Sequence, residues 1–173
     1  MQSRILGIMS TLDGRIGGIR VGYDLHANWD GKQLQGRIGG HLNGRDIHLT
    51  LDGERVEGRV GGHLKGFDAD GHLSDTSLKA RLGGLIEGDD VRATLTPTGA
   101  DGRFSGRIDG KDVHLDLRGE RLQGRIGGTV NGKDVDLRVQ GVPLGVAVLA
   151  AVCAYKALED HENAEREEEE RGE

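Results

Sequence analysis

Hydrophobic and polar residues alternate along most of this chain. From residue 56 to 64, small or apolar residues stand at every second position, and Glu57, Arg59 and His63 stand among the positions between them. Residues 46 to 51 alternate in the same way, with Ile47 and Leu49 on the apolar side. A strand with one buried face and one wet face has this period of two. The pattern predicts antiparallel strands that cover a core on one side only.

The alternating stretches belong to a 22-residue unit that occurs six times without an insertion. The first copy begins Gly14-Arg-Ile-Gly-Gly, and a recurring Asp follows ten residues later. The equivalent copies begin at Gly36, Gly58, Ala80, Gly102 and Gly124. Asn-Gly or Asp-Gly pairs at 30–31, 43–44, 52–53, 109–110 and 131–132 predict two-residue type I′ turns. Two strands in each unit predict a meander of twelve.

Two units depart from this pattern. Ala69 and Gly71 stand where other copies have larger apolar residues, which predicts a weak or bulged strand. Pro97 cannot adopt the positive φ of a type I′ turn, so residues 96–101 are expected to form a different connection.

The turns also predict the strand register. Two-residue turns at 43–44 and 52–53 place Ile38 opposite Leu49, and Gly40 opposite Ile47, with every apolar face matched. On the outer face they predict the ion pairs Asp24–Arg37, Asp46–Arg59, Asp68–Arg81, Asp90–Arg103 and Asp112–Arg125. Arg15 and Asp134 remain, and their pairing would close the meander into a barrel without bare edges. Each exposed pair is expected to contribute roughly 0.2–1 kcal/mol.

One stretch, Leu144 to Leu158, is apolar on every side of a helix. Such a helix must be buried in protein or in lipid. Twelve tilted strands form a barrel with a radius of roughly 11–12 Å, and a helix with its side chains has a radius of about 5–6 Å, so one helix and one layer of wall side chains fill the lumen. We therefore expect the helix to thread the lumen and to bury Val146, Leu149, Val152 and Cys153.

The glycines of the inner face admit two explanations. Glycine inside a strand costs stability unless another part of the protein approaches closely. Gly36 and its equivalents are therefore interpreted as making room for the central helix, beside its alanines. The alternative is that these glycines allow the sheet to coil.

The charges divide the chain further. Residues 159–173 contain nine acids and two arginines, a sum of −7 within a net charge of −6, so the remainder carries +1. A near-neutral body gives no basic face for nucleic acid.

We expect a lead-in at 1–11, a six-repeat barrel at 12–141, an apolar helix at 142–158 and an acidic helical or disordered tail at 159–173. The single Cys153 rules out an internal disulfide, and together with the short apolar patch near residue 1 it predicts a cytoplasmic protein. We also expect a monomer.

A closed twelve-stranded antiparallel barrel around an apolar C-terminal helix resembles the tubby C-terminal domain and phospholipid-scramblase-like proteins. The short, near-identical glycine-rich hairpins are similar to those of the bacterial β-flower barrels. The resemblance is architectural and covers the whole chain, without the phosphoinositide-binding motif of tubby proteins. It implies membrane or lipid association. Residues near one rim that could contact lipid are Tyr23, Lys65, Phe67, Lys111 and Lys133.

No motif predicts catalysis, a cofactor or a metal site. The chain has no Gly-x-Ser-x-Gly elbow and no P-loop, and its repeated His positions lie about 9–10 Å apart, too far to share a zinc ion. Only a weak site of His41, Asp46 and His48 is conceivable.

The sequence predicts a non-catalytic structural or interaction module, whose partner is a protein or anionic lipid. One alternative is a peripheral lipid-binding protein of tubby-like type. Another is a barrel tethered to a membrane by residues 142–158, although these 17 residues, with Lys156 among them, fall short of the ~20 that span a bilayer.

Overall fold

In a computed structural model, the chain forms the closed antiparallel barrel and C-terminal helix that its sequence predicts. The structure describes residues 10–18, 20–39, 44–62, 65–84, 86, 88–105, 110–128 and 132–172. The strands are β1 (Ser10–Gly17), β2 (Gly22–Trp29), β3 (Gln33–Ile38), β4 (Arg45–Asp52), β5 (Arg55–Gly61), β6 (Gly66–Leu73), β7 (Ser77–Gly83), β8 (Gly88–Thr96), β9 (Gly99–Ser105), β10 (Gly110–Arg118), β11 (Arg121–Ile126) and β12 (Lys133–Gln140), and the helix is α1 (Leu144–Arg171).

Each strand pairs with its neighbours in the chain, and β1 pairs with β12. In this closing pair Thr11 lies opposite Gln140, and Arg15 lies opposite Asp136 rather than Asp134. All strand edges are therefore hydrogen-bonded, as the expected closure requires. The barrel has two ends. We call the end where α1 begins the mouth, and the end where α1 leaves the exit rim.

Burial alternates along the strands as the sequence pattern predicts. In β4, Ile47 and Leu49 are buried, whereas Asp46 and His48 between them are exposed. The inner face continues around the barrel, and every buried side chain among the described residues is apolar or tyrosine. The period of two therefore assigned the two faces of the wall correctly.

The predicted register at the exit rim is wrong by four residues. Ile38 lies opposite Arg45 instead of Leu49, and Ile47 lies opposite Gly36 instead of Gly40. Gly39 adopts a φ of +94°, which ends β3 before the Asn-Gly pair is reached. The first glycine of the Gly-Gly pair is thus a strand terminator, and six residues connect β3 to β4 in place of a two-residue turn.

The predicted register at the mouth is wrong by two residues. Asp52 pairs with Arg55, so Gly53 and Glu54 are the turn residues, and Arg59 lies opposite His48 instead of Asp46. Gly53 takes the first central position with a φ of +63°. Both register errors are even numbers, and even shifts leave every side chain on its predicted face.

The two units that depart from the consensus fold regularly. β6 contains no bulge, because Gly71 pairs with both Val56 and Ala80 in unbroken ladders. Pro97 and Thr98 form a two-residue connection, since Thr96 still pairs with Gly99. Proline suits the first central position of a type I turn, which needs no positive φ. The expected bulge was wrong, and the connection between Thr96 and Gly99 is as short as a hairpin turn, although Pro97 and Thr98 have no positive φ.

The predicted apolar helix and the predicted helical or disordered tail together form one continuous helix. α1 runs from Leu144 to Arg171, and its side chains from Gly145 to Leu158 are buried, except the partly buried Lys156. Val146, Leu149, Val152 and Cys153 are all at most 1% exposed, as expected. The helix contacts β1, β2, β3, β6, β7, β8, β9 and β12, which lie on different sides of the barrel. We infer that it occupies the lumen.

The inward glycines do not make room for the helix. A Cβ at Gly36 would lie 2.0 Å from the backbone oxygen of His26 on the neighbouring strand, and one at Gly58 would lie 2.0 Å from that of His48. Their absent side chains therefore let adjacent strands approach and the sheet coil, which is the alternative explanation. The closest approach between helix and wall at a described glycine is in the helix itself, where a Cβ at Gly145 would lie 2.1 Å from Leu73 Cδ1.

Candidate functional site

The exit rim holds a cluster of charged residues around the emerging helix. Lys156, the one interruption in the apolar run, lies with its Nζ 2.9 Å from Asp89 Oδ2 and 3.5 Å from Asp160. The Lys156 and Asp89 side chains are only 12% and 13% exposed. The ammonium also lies 5.2 Å from the centre of the Phe67 ring. A charge at this depth requires such partners, because its hydration is largely lost.

The cluster contains one base between two acids. Burial alone would lower the pKa of Lys156, but the nearby carboxylates of Asp160 and Asp89 outweigh burial and raise it. Burial raises the pKa of Asp160, and the attraction of Lys156 offsets this only in part. The ammonium therefore stays charged at neutral pH, and it holds the helix against β8.

Two further lysines of the wall contact the helix one and two turns later. Lys111 Nζ lies 2.9 Å from Glu159 Oε2, and Lys133 Nζ lies 3.1 Å from Glu162 Oε1. Lys111 also lies 5.9 Å from the ring centre of Tyr155. The three ion pairs come from β8, β10 and β12, so they fix the helix from separate strands as it leaves the barrel.

Aromatic side chains complete this end of the lumen. Tyr155 packs edge-on against Phe104 at 5.7 Å between ring centres, and its hydroxyl donates to Glu159 at 3.3 Å. The Tyr23 ring lies 6.0 Å from that of His161. Burial is the main cause that raises the pKa of both tyrosines, so both phenols stay neutral in the physiological range.

Four of the five predicted rim residues, Tyr23, Phe67, Lys111 and Lys133, contact the protein's own helix. Lys65 is exposed. All five lie at or next to the exit-rim ends of their strands. The partners on the helix, Glu159 and Glu162, were assigned to a tail, and no sequence signal had linked them to strand residues. Among the helix residues of this cluster, only Lys156 could have been recognised from the sequence. A lysine inside an apolar helix indicates that a carboxylate lies close to it in the fold.

Beyond the exit rim the helix is fully exposed. Its residues from Asn163 to Gly172, which we call the acidic helix end, include five glutamates and two arginines. Nine helical residues extend about 14 Å. One i,i+4 contact, Arg171 to Glu167 at 3.9 Å, lies along it. The predicted acidic tail is thus helical up to Arg171.

The outer ion pairs involve all twelve predicted residues, but with exchanged partners. Each arginine contacts the aspartate nine positions later: Arg15–Asp24 at 2.8 Å, Arg37–Asp46 at 3.0 Å, Arg59–Asp68 at 2.7 Å, Arg81–Asp90 at 3.0 Å, Arg103–Asp112 at 2.8 Å and Arg125–Asp134 at 2.6 Å. The register shift is the cause, because each pair now spans an exit-rim connection. Arg59 also donates to the carbonyl oxygen of Gly62 at 2.6 Å, and thereby supports that connection.

The outward histidines form separate contacts. His26 Nδ1 lies 2.8 Å from Asp13, and His114 contacts Asp101 closely and Asp116 at 3.5 Å. The hydrogen bond that His114 donates to the Asp101 carboxylate raises the pKa of His114. Within the described ranges there is no group of three or more residues suited to a metal ion. His41, part of the conceivable metal site, lies outside the described residues.

Cys153 is buried, and burial raises the pKa of its thiol to about 12. In the part of the chain that the structure describes, no helix has both the length and the apolar character needed to cross a bilayer.

No protein-family model matches the chain, and neither a curated protein nor a solved structure matches it significantly. The function is therefore inferred from the residues of this chain itself.

Proposed function

We propose that this protein is a non-catalytic interaction module that presents the acidic helix end to a basic partner protein. The observation that carries the proposal is the continuity of α1, which is buried from Gly145 to Leu158 and exposed from Asn163 to Gly172. A projecting helix anchored by fourteen barrel-bound residues is held in one direction relative to the barrel.

Rigid presentation favours binding. The ion pairs of Lys111, Lys133 and Lys156 fix the helix where it leaves the wall. A surface that is already ordered loses less conformational entropy when a partner binds. A concentration of five glutamates also steers a basic partner and raises its association rate.

The repeated wall supports a non-catalytic role. The outer face presents the same Arg–Asp pair six times, as in Arg59–Asp68, so the described residues of the units repeat one arrangement instead of forming one distinct cleft. The buried thiol of Cys153 is inaccessible as a nucleophile. We further propose a cytoplasmic location, because the single cysteine fits a reducing compartment, and a monomeric state.

The test uses photo-crosslinking from the acidic helix end in cells. A photo-reactive residue at position 168 should capture a small set of proteins through basic surfaces. Replacing Glu165, Glu167, Glu169 and Glu170 with Gln in the same protein should reduce capture at least tenfold. Equal capture by both proteins, or no capture by either, would contradict the proposal. A photo-reactive residue at Glu57 on the outer wall serves as the matched control.

Lipid binding of tubby-like or β-flower type is the second candidate. Val21 and Ile86 are 51% and 91% exposed, and both lie, like the exposed Lys65, in connections at the exit rim. A rim that presents exposed apolar residues and a cation is typical of peripheral lipid contact. Against it, Lys111 and Lys133 are occupied by glutamates of the helix.

Flotation with anionic liposomes distinguishes this candidate from the first. Lipid binding predicts flotation at low salt that weakens at physiological salt and is lost in a Val21→Asp/Ile86→Asp variant. Absence of flotation at both salt concentrations would exclude it. The third candidate, a tether through residues 142–158, requires apolar side chains that are buried against the barrel in this structure.

A further inference from the structure

One position on the outer face of the wall differs in charge from unit to unit. In the middle of each hairpin two outward side chains lie directly opposite each other, and the six pairs are Asp13–His26, Gln35–His48, Glu57–Asp70, Lys79–Arg92, Asp101–His114 and Gln123–Asp136. Of these six pairs, the one on β7 and β8 consists of a lysine and an arginine. Like charges directly opposite each other on a sheet are destabilising. The free protein therefore holds Lys79 and Arg92 together at a cost in stability.

The pair of two acids has its counter-charge within its own hairpin. Arg55 lies 2.6 Å from Glu57 and 3.1 Å from Asp70, so one guanidinium neutralises both carboxylates. The repeat places Ser77 at the position of Arg55 in the β7–β8 hairpin, and serine carries no charge. The basic pair thus lacks the internal counter-charge that the acidic pair has.

The carboxylates on the neighbouring strand positions are engaged with other cations. Asp70 contacts Arg55, Asp90 contacts Arg81, Asp101 contacts His114, and Asp112 contacts Arg103. Arg103 is a further cation, because it lies opposite Arg92 on β9. Among the described residues, no carboxylate lies within ion-pair distance of Lys79 or Arg92.

These charges make the β7–β8 hairpin a basic stripe on the wall. Its outward residues at 77, 79, 81, 90, 92 and 94, which we call the basic stripe, include three cations and one acid, a sum of +2 with histidine neutral. The same positions of the β5–β6 hairpin include two cations and three acids, a sum of −1, and those of β9–β10 include one cation and three acids, a sum of −2. The basic stripe is therefore about two strands or ~10 Å wide, with an acidic hairpin on each side.

A shallow depression of about 200 Å³ lies in the basic stripe. Lys79, Arg81, Asp90 and Arg92 line it, together with Asp70 of β6. Pockets that enclose a small molecule usually have roughly 300–1,000 Å³ and a mainly apolar lining. The depression suits charged side chains of a larger partner better than it suits a small ligand.

The width of the stripe distinguishes between anionic partners. An α-helix with its side chains is about 10–12 Å wide, so a single acidic helix covers the stripe without crossing its borders. A nucleic-acid duplex or a membrane surface is wider, and its negative charges would lie against the acidic hairpins on both sides. The spacing also agrees with a helix. Residues three or four positions apart on a helix have Cβ atoms roughly 5–6 Å apart, and opposite residues on neighbouring strands have Cβ atoms about 4.5–5.5 Å apart.

We propose that the basic stripe binds an acidic α-helix of a partner protein, with two carboxylates, three or four positions apart, on Lys79 and Arg92. The guanidinium of Arg92 holds a carboxylate through two parallel N–H donors, and the ammonium of Lys79 acts as a point charge. The partner then supplies the counter-charge that this hairpin lacks. The stripe lies on the barrel wall, apart from the acidic helix end, so this inference does not depend on the proposed function.

Titration of the isotope-labelled full chain with a synthetic peptide tests the proposal. The probe is an alanine-based peptide of about sixteen residues, long enough to form a helix, with glutamates four positions apart. A peptide with lysines at the same positions is its control. At low salt the amide resonances of β7 and β8 should shift saturably with the glutamate peptide and stay unchanged with the lysine peptide. The affinity should fall at physiological salt, because exposed charges are screened.

Charge reversal tests the two named cations. Lys79→Glu/Arg92→Glu should weaken binding of the glutamate peptide at least tenfold, and the same variant should bind the lysine peptide. Lys32→Glu/Arg118→Glu removes the same charges at exposed positions outside the stripe and should leave the affinity within about twofold.

A measurement without peptide tests the premise. Arg92→Asp places opposite charges across β7 and β8 and should raise the midpoint of thermal unfolding at low salt, because attraction replaces repulsion. The same variant should lose binding of the glutamate peptide.

Three results would overturn the proposal. Shifts spread over all basic residues of the wall, or an affinity unchanged by charge reversal, would mean non-specific attraction. Shifts in β7 and β8 that grow with protein concentration without peptide, together with shifts at residues 165–170, would mean that the acidic helix end of a second copy occupies the stripe. An unfolding midpoint that Arg92→Asp does not raise would mean that the two cations need no counter-charge.

Discussion

The inner and outer faces of the barrel wall are built from the same six units, yet they hold the protein together in different ways. The inner face presents buried aliphatic residues such as Ile47 and Leu49 to the core. The outer face presents exposed pairs such as Arg59–Asp68, with side chains 37% and 70% exposed. Burial of an aliphatic side chain stabilises by roughly 1.5–3 kcal/mol, and an exposed ion pair by about 0–1 kcal/mol.

This difference separates two tasks within one repeat. The inner residues drive folding around the helix, and any apolar residue of suitable size meets that requirement. The outer pairs span the exit-rim connections and contribute little energy, so their value lies in which strands and loops they hold together. Substitutions on the two faces should therefore have effects of different size and different salt dependence.

The largest effect is expected from the helix side of the inner face. Leu149 is fully buried, so Leu149→Ala leaves a cavity and should lower the free energy of unfolding by about 2–5 kcal/mol. Urea denaturation followed by circular dichroism measures this loss of free energy of unfolding. Glu168→Ala, on the exposed end of the same helix, is the control and should change stability by less than about 0.5 kcal/mol. Equal, small effects for both would mean that Leu149 is not in a packed core.

The second effect tests the crowding between strands. Gly36→Ala places a methyl group against the His26 carbonyl and should destabilise by about 1–3 kcal/mol, because the backbone must shift. Gly62→Ala is the matched control, since its Cβ would meet nothing within 4 Å. The same substitution should therefore be nearly neutral there. Thermal unfolding of the two variants compares them, and equal midpoints would refute the packing explanation of the inward glycines.

The third effect concerns the boundary between the two faces at the exit rim. Lys156→Met keeps the apolar stem but leaves Asp89 and Asp160 without their cation, at a cost of about 1–2 kcal/mol after allowance for partial exposure. Adding Asp89→Asn to this variant should recover part of the loss. No loss in the single variant would show that the ion pair does not hold the helix.

The same lysine predicts a pH dependence at the alkaline end. The folded protein raises the pKa of Lys156 above its ordinary 10.5, so the folded state binds the proton more tightly than the unfolded state. The resulting stabilisation is fully present below pH 10.5 and is lost as the pH rises through the folded value. The stability difference between the protein and Lys156→Met should therefore be constant from pH 8 to 10 and shrink above 10.5. A difference that grew there would contradict the assignment.

The smallest effect is expected on the outer face. Arg59→Gln removes one pair with Asp68 and should lower stability by about 0.2–1 kcal/mol, with a difference that disappears in high salt. Urea denaturation in low and high salt measures the change. A loss as large as that of Leu149→Ala would mean that the outer pairs also carry the fold.

The same contrast explains what the sequence could predict. The two faces and the buried helix residues follow from a period of two and from an apolar run, which are properties of single stretches, and the number of strands follows from the repeat. The partners in the outer ion pairs depend on how many residues each connection between strands contains. Gly39 ends β3 through its positive φ, and Gly53 is the first residue of its turn. Neither feature changes the alternation of apolar and polar residues along the strands. The partner of Asp46 was therefore predicted incorrectly although its face was correct.

The charged exit rim was accessible to sequence reasoning only in part. Lys156 stood out within the apolar run, but Asp89 lies 67 positions away, and no local pattern joins the two residues. Glu159 and Glu162 resembled the start of a solvated tail because acidic residues follow them. Their contacts with Lys111 and Lys133 depend on how far the helix rises inside the barrel.

Truncation after Gly141 tests most directly whether the helix is the core of the barrel. We predict that the truncated chain loses the β-sheet circular dichroism and the cooperative unfolding of the full chain, and that it aggregates, because its inner face has nothing to pack against. Truncation after Glu162, which removes only the acidic helix end, is the control and should leave the fold intact. A chain ending at Gly141 that stays a soluble, cooperatively unfolding β-protein would contradict the account.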